Sequence, residues 1–265
     1  MKIAAAQIAC TLGDVAANVA KISEFAARAS RSGAGLVLFP EMADTGYSME
    51  QIRRHASAWD DGPVPSLCAL AQKLAIAIIC GVSERVSAHI YNAQVVIDRR
   101  GEIVAKYRKT HLFTPIEEHT CFAAGAELVS CPIGNLQIGL SICYDLRFPE
   151  VYRSLACDHS ANFLAISSAW PFPRVEHLRV LARARAIENQ SYVVLANRVG
   201  TDAGVSFCGS SAIVDPSGNV VASSSADREE LIYGEVSGET LQSIRNRMPV
   251  FADRRPELYA GSIGG

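Results

Sequence analysis

Three polar side chains of different chemistry each follow a strand-like segment of this 265-residue chain. Cys143 stands where the apolar segment 136–142 gives way to a polar turn, Glu41 follows the apolar segment 36–40, and Lys109 ends a third such segment. A cysteine at the end of a strand can project its sulfur into a cleft beside backbone N–H groups, which suits a nucleophile. A carboxylate, an ammonium group and a thiol at three strand ends therefore favour a hydrolase.

The composition is that of an ordinary soluble globular protein, with 49% hydrophobic and 20% charged residues. A net charge of −2 and the lack of a Lys/Arg run give no reason to expect nucleic acid or an anionic membrane as a partner. No segment approaches the roughly 18 apolar residues typical of a membrane span, and the apolar N-terminal patch is too short for a signal peptide. Eight scattered cysteines and six histidines without zinc-site spacing predict reduced thiols, a cytoplasmic location and no metal.

The three polar residues must be positioned by the elements around them. Short apolar segments alternate with segments of helical periodicity, the first of which starts after Asp14, a residue suited to capping a helix. Hairpin-like pairs at 92–107 and 211–223 indicate a sheet that is not purely parallel. No Pro/Gly/Ser-rich linker divides the chain, so we predict one mixed α/β domain over residues 1–265. Its core would end near residue 253, and residues 254–265 would form an extended tail. Periodicity alone leaves open whether there is one sheet or two.

Several segments, all containing polar residues, support a family resemblance. They are AQ (6–7), LFPE (38–41), YRKTHLF (107–113), ICYDLRFPE (142–150), RARAIEN (183–189) and ANRVG (196–200). In their order and spacing they resemble the nitrilase superfamily of carbon–nitrogen hydrolases over almost the whole chain. The resemblance implies a four-layer αββα sandwich with mixed sheets, whose outer helices pair subunits into homodimers or larger assemblies. It also implies a catalytic Glu–Lys–Cys triad.

The residue types fit that triad. A thiol with a pKa of about 8.5 is mostly protonated at neutral pH, so Glu41 would act as the general base for Cys143. Lys109 would favour the thiolate and then stabilise the tetrahedral oxyanion, together with the backbone N–H of Tyr144. Ammonia would leave, a thioester would remain on Cys143, and Glu41 would activate the water that releases the acid. No cofactor takes part in these steps.

The family also uses a second glutamate on the loop after the lysine, and this chain offers two neighbours there. Counting back from Gly125 favours Glu118, whereas the Pro-Ile-Glu context favours Glu117; we choose Glu118. A papain-type pair of Cys143 with His111 or His119 has the required residue types but no supporting motif.

Two further residues are candidates for substrate binding. Arg147 presents a planar fork that matches a carboxylate, and the alternative is a local ion pair with Asp145 or Glu150. Trp170 follows a strand and would either line the pocket or serve only in packing. Arg185, Glu188 and Asn189 are expected to make structural hydrogen bonds or a subunit contact.

The leading hypothesis is a thiol amidase that acts on a small carboxamide. The residues from Cys143 to Glu150 look more like the amidase branches than like true nitrilases, which typically carry Cys-Trp-Glu. The segments WPFPR (170–174) and RAIENQ (185–190) are similar to bacterial ω-amidases, which cut the terminal amide of dicarboxylic acid monoamides such as α-ketoglutaramate. One alternative is an N-carbamoyl hydrolase, although its usual pair of basic residues is here Leu146-Arg147. An alternative of another class is a catalytically silent binding or scaffold protein on the same fold.

Overall fold

The computed structural model describes residues 1–259 of the chain. Within that range it forms six α-helices and two six-stranded sheets, with one additional two-stranded hairpin. The helices are α1 (Val15–Arg31), α2 (Met49–His55), α3 (Pro63–Leu74), α4 (Pro149–Cys157), α5 (Val175–Asn189) and α6 (Gly238–Arg247). The strands are β1 (Lys2–Gln7), β2 (Leu36–Leu38), β3 (Ala77–Val86), β4 (His89–Ile97), β5 (Ile103–Arg108), β6 (Ser130–Ile133), β7 (Leu136–Ile142), β8 (Phe163–Ser168), β9 (Tyr192–Asn197), β10 (Thr201–Asp202), β11 (Val205–Ser206), β12 (Ala212–Val214), β13 (Val220–Ser223) and β14 (Glu230–Glu235).

The two large sheets stack face to face, and a helical layer covers the outside of each. The first sheet has the order β14-β1-β2-β3-β4-β5, and the second has the order β13-β12-β9-β8-β7-β6. Helices α1 and α3 pack on the first sheet, and α4 and α5 pack on the second. The mixed α/β sandwich predicted from the sequence is confirmed, and it contains two sheets.

The buried strand β2 shows how the layers determine its composition. Leu36 and Leu38 belong to the core between the sheets, whereas Val37 belongs to the core under α1 and α3. Both faces of β2 are therefore dry, which explains why its sequence is apolar without alternation.

The strand directions bring separate parts of the chain to one edge of the sandwich. Each sheet has three parallel strands at its centre, β1, β2 and β3 in one and β7, β8 and β9 in the other. Strand β5 is two antiparallel steps from β3 and so runs in the direction of β2. Strand β3 lies opposite β8, and β4 lies opposite β7. The residues that follow β2, β5, β7 and β8 therefore meet at one end.

Several elements differ from the sequence prediction. Strand β3 is longer than the predicted segment 76–82, and it pairs from Ile78 to Val86 with β4, which starts three residues before the predicted Asn92. Helices α2 and α6 and strand β6 were not predicted. The predicted extended tail contains a 3-10 turn at Pro256–Leu258, and the part of the tail after residue 259 lies outside the described residues.

Candidate active site

Lys109 lies between two buried carboxylates directly after β5. Its Nζ is 2.9 Å from Oε1 of Glu41 and 2.8 Å from Oε1 of Glu118, and none of the three side chains is more than 1% exposed. Burial alone disfavours the ammonium form, but the carboxylates of Glu118 and Glu41 outweigh it, and the pKa of Lys109 is raised above its ordinary value. Lys109 is therefore a fixed positive charge at this site.

Glu41 is oriented by hydrogen bonds from three different parts of the fold. Besides Lys109, Nδ2 of Asn92 on β4 donates to Oε1 at 2.6 Å, and the backbone N–H of Ala169, directly after β8, donates to Oε2 at 2.8 Å. The backbone of Glu41 also passes very close to β3 at Gly81. A Cβ added there would lie 2.6 Å from the Cα of Glu41 and 2.4 Å from the carbonyl oxygen of Pro40. A side chain at position 81 would displace the carboxylate.

Cys143 begins the 3-10 turn Cys143–Arg147 that follows β7, and its φ of 44° places it in the left-handed region. Such strain in a non-glycine residue is a recurrent feature of functional sites. Burial and the nearby carboxylate of Glu41 raise the pKa of the Cys143 thiol well above its ordinary value. The nearby Lys109 ammonium favours the thiolate and lowers this pKa, but burial and the Glu41 carboxylate outweigh it. The raised pKa favours the protonated thiol, which a base must deprotonate before the sulfur can attack.

Asp145 ties the turn that carries Cys143 to the loop that carries Lys109. Its carboxylate accepts hydrogen bonds from the backbone N–H of Ile142 at 2.9 Å and from the hydroxyl of Tyr107 at 2.7 Å. It also accepts from the backbone N–H of His111 at 3.1 Å. The strand end before Cys143 and the strand end before Lys109 are therefore held by one buried side chain.

Glu118, rather than its neighbour Glu117, faces Lys109. Glu118 is completely buried and accepts a 2.7 Å hydrogen bond from the backbone N–H of Phe113 as well as one from the hydroxyl of Tyr47. Glu117 is exposed, with a φ of 57°. Of the two neighbours, Glu118 is therefore the one that contacts Lys109.

Cys143, Lys109 and Glu118 open onto a cleft of about 480 Å³, a volume that includes open solvent at its mouth. Its walls are largely aromatic and carry two arginines. The lining includes Tyr47, Phe113, Tyr144, Arg147, Trp170, Arg174, Val205 and Phe207. Tyr144, predicted to bind the substrate oxyanion, and the other two predicted substrate-binding residues, Arg147 and Trp170, all lie on this cleft.

Arg147 does not form either of the local ion pairs considered from the sequence. Its guanidinium lies 4.6 Å from the ring centroid of Trp170, and its Nη2 is 3.3 Å from Nδ1 of His177. The carboxylate of Asp145 instead accepts hydrogen bonds from the Tyr107 hydroxyl and the backbone N–H of His111.

The other sequence candidates lie elsewhere. His111 stacks on Phe148 at 3.8 Å and contacts Asp145 through Nδ1, and His119 is exposed, so neither lines the cleft with Cys143. Arg185 donates to the carbonyl of Leu146 at 2.8 and 3.1 Å, which agrees with the structural role expected for it. Its contact supports the turn that begins at Cys143.

Four contributors to the site were not identified from the sequence. Asn92, Asp145 and the N–H of Ala169 position catalytic candidates, and Tyr47 contacts Glu118. Of these four, only Asp145 could have been identified from the sequence, because it lies within the motif around Cys143.

In residues 1–259, no group of three or more His, Cys, Asp or Glu side chains is arranged to hold a metal ion. No helix in that range is both long and apolar enough to cross a membrane.

Comparisons with known proteins find relatives that match almost the whole chain. The family model described as carbon-nitrogen hydrolase matches residues 2–246. The chain is 34% identical to a 2-oxoglutaramate amidase from Bacillus subtilis, over 97% of this chain and 98% of the relative.

Solved structures of similar proteins superpose along almost the entire chain. A CN-hydrolase superfamily protein from Xanthomonas campestris, with an arsenic adduct in its active site, gives a TM-score of 0.90 at 28% identity and covers 96% of this chain and 97% of its own. A glutamate-to-glutamine variant of the amidase from Nesterenkonia sp. AN1 gives 0.85 at 29% identity, with 98% of both chains covered. In that variant, acrylamide has added to the active-site cysteine.

Proposed function

Because this chain belongs to the carbon–nitrogen hydrolase family, we propose that it is a thiol amidohydrolase that converts a small carboxamide to its carboxylic acid and ammonia. The observation that carries the proposal is the buried Glu41–Lys109–Glu118 chain beside Cys143. Burying two carboxylates and one ammonium group costs several kcal/mol per ion unless they are well paired, and such clusters are concentrated at functional sites.

In the first half-reaction, Glu41 takes the proton of the Cys143 thiol as the sulfur attacks the amide carbonyl carbon. A base is needed because the pKa of this thiol is raised. The Lys109 ammonium and the backbone N–H of Tyr144 stabilise the oxyanion of the tetrahedral intermediate. The C–N bond then breaks, the nitrogen takes the proton held by Glu41, and ammonia leaves a thioester on Cys143.

In the second half-reaction, water replaces ammonia. Glu41 takes a proton from the water as its oxygen attacks the thioester carbonyl, and the same donors stabilise the second oxyanion. The C–S bond breaks, the proton returns to the sulfur, and the acid is released. Glu118 holds the other side of Lys109, so the ammonium stays in place to stabilise the oxyanion in both steps.

We assign the substrate to the amides that also carry a carboxylate, as in an ω-amidase. The relative from Bacillus subtilis is named for such a substrate, 2-oxoglutaramate. The cleft of this chain supports the assignment because Arg147 lines it without a carboxylate partner in residues 1–259. A carbamoylase is less well supported, since Leu146, the neighbour of Arg147, is completely buried and presents no second basic group.

We also retain the proposal that subunits pair through the outer helices. Val180 and Ile187 on α5 are apolar side chains that are 61% and 50% exposed in the single chain. Light scattering after size exclusion would test this, and Val180→Glu should shift the mass towards that of one subunit.

An ammonia-release screen tests the proposed activity. It should include short aliphatic amides, α-keto-acid amides, glutamine-like amides, N-carbamoyl compounds and nitriles. We expect the carboxylate-bearing amides to react with the highest kcat/KM and the Cys143→Ala protein to be inactive. Turnover of N-carbamoyl compounds alone would favour the carbamoylase, and no turnover of any compound would favour a binding protein.

A further inference from the structure

The cleft contains a second arginine whose guanidinium is free. Arg174 lines the cleft beside Phe113, with its Cζ 6.0 Å from that ring's centroid. Throughout the described residues 1–259, its side-chain N–H groups have no hydrogen-bond acceptor and no carboxylate partner. Arg147, in contrast, is stacked on Trp170 and directs Nη2 towards His177. The complete planar fork available to a ligand in this cleft is therefore that of Arg174.

The backbone of Arg174 is held in place at the cleft wall. Its carbonyl accepts a 2.9 Å hydrogen bond from the indole Nε1 of Trp170, and Trp170 is only 2% exposed. Arg174 is also the N-cap residue of α5, at the end of the helix where the dipole favours negative charge. Binding a planar anion would cost the free Arg174 side chain rotamer entropy, but its backbone is already fixed and its planar fork makes two hydrogen bonds for that cost.

The charges in the cleft are distributed unevenly. The Glu41–Lys109–Glu118 chain places two carboxylates and one ammonium beside the thiol, whereas the wall carries two guanidinium groups. An anionic group of the substrate is repelled from the first region and attracted to the second. A molecule with an amide at one end and a carboxylate at the other therefore fits this field in one orientation, with the amide at Cys143.

We propose that Arg174 is a specificity-determining residue that binds the substrate carboxylate through its free fork, with Arg147 as the second cation. This inference rests on the proposed amidase function and deepens it. It assigns the larger share of carboxylate recognition to Arg174 rather than to the arginine next to the nucleophile.

The test compares glutaramate with its neutral isostere 5-methylhexanamide, in which an isopropyl group replaces the carboxylate. We expect Arg174→Ala to lower kcat/KM for glutaramate by about 10- to 100-fold, the range for one charge-assisted hydrogen-bonded pair. The loss should appear mainly in KM, and kcat/KM for the neutral amide should change less than about threefold. Arg147→Ala should show the same selectivity with a smaller loss. Arg28→Ala, which removes an exposed arginine on α1, is the matched control.

Binding of glutarate, the dicarboxylate product, is measured by calorimetry in parallel and does not depend on turnover. If Arg174→Ala binds glutarate about tenfold or more weakly, the assignment of Arg174 is supported, whether or not any amide is hydrolysed. A lack of hydrolysis would count only against the amidase proposal. Unchanged glutarate affinity in folded Arg174→Ala would overturn the inference. Equal losses for the charged and neutral amides would overturn it as well.

Discussion

The backbone N–H of Tyr47 donates a 2.8 Å hydrogen bond to Oδ2 of Asp202 on the β10–β11 hairpin. Asp202 also pairs with Arg198, a guanidinium that is completely buried against Phe207. The hydroxyl of Tyr47 in turn donates to Glu118, the carboxylate that holds Lys109. The hairpin at the cleft wall is thus connected to the lysine through one tyrosine.

This connection predicts that substitutions of Asp202 and Tyr47 are not additive. Tyr47→Phe removes the hydroxyl contact to Glu118 and should lower kcat/KM by about 10-fold, within the range for a hydrogen bond to a charged group. Asp202→Asn should also lower kcat/KM, because it removes the negative charge that pairs with Arg198 and weakens the acceptor that holds the backbone N–H of Tyr47. In a protein that already carries Tyr47→Phe, adding Asp202→Asn should lower kcat/KM by less than about threefold, because residue 47 no longer reaches Glu118. Losses that simply multiply would show that Asp202 acts by another route.

The electrostatic environment of Cys143 predicts opposite pKa changes for two neighbouring substitutions. Glu41 disfavours the thiolate and raises the pKa of Cys143, so Glu41→Gln should lower that pKa. Lys109 favours the thiolate, so Lys109→Met should raise the pKa further. At a fixed pH between 8 and 9, iodoacetamide should therefore modify Cys143 faster in Glu41→Gln and more slowly in Lys109→Met than in the unsubstituted protein. Peptide mass spectrometry gives the rate at this one cysteine, and both variants should lose turnover. Shifts in the same direction would contradict the assigned environment.

The buried hydrogen bonds of Asp145 predict that substituting this residue lowers both stability and activity. Asp145→Asn replaces an acceptor-only group with one that has two donors, and these would face the N–H of Ile142 and the Tyr107 hydroxyl. We expect a loss of about 1–3 kcal/mol in the free energy of unfolding and a lower kcat. Urea titration and steady-state kinetics measure the two quantities. The exposed Asp60→Asn serves as the control, and unchanged kinetics in Asp145→Asn would exclude a role in positioning the two loops.

Gly81 predicts that one methyl group on β3 disrupts the catalytic base. In Gly81→Ala the new Cβ would overlap the backbone of residues 40 and 41, so the strand end must move. We expect kcat to fall by at least about tenfold while the circular dichroism spectrum is retained, because small displacements of a catalytic group are costly. Gly238→Ala is the matched change, since the nearest atom to its added Cβ is 3.8 Å away in the Asn135 side chain. Full activity in Gly81→Ala would show that Glu41 tolerates displacement.

The sequence predicted those parts of the site that lie at boundaries of local pattern. Glu41, Lys109 and Cys143 each mark the change from an apolar strand to a polar turn, and strand direction then brings them together. The contact of Tyr47 with Asp202 joins residues 155 positions apart through irregular loops, and no periodicity reports such a pair. Helix α6 was missed because Leu241 is its one buried residue, which leaves no apolar stripe. Likewise, whether a carboxylate lies beside the Arg174 guanidinium depends on which residues pack around it, and that is a property of the packed fold.

The covalent intermediate on Cys143 provides the most direct test of the mechanism. The protein is mixed with its best amide substrate, quenched with acid within milliseconds to seconds, digested and analysed by mass spectrometry. We predict that the peptide containing Cys143 carries the acyl group of the substrate and that this adduct disappears as the substrate is exhausted. An acyl group on another residue, or near-normal turnover by the folded Cys143→Ala protein, would contradict the account.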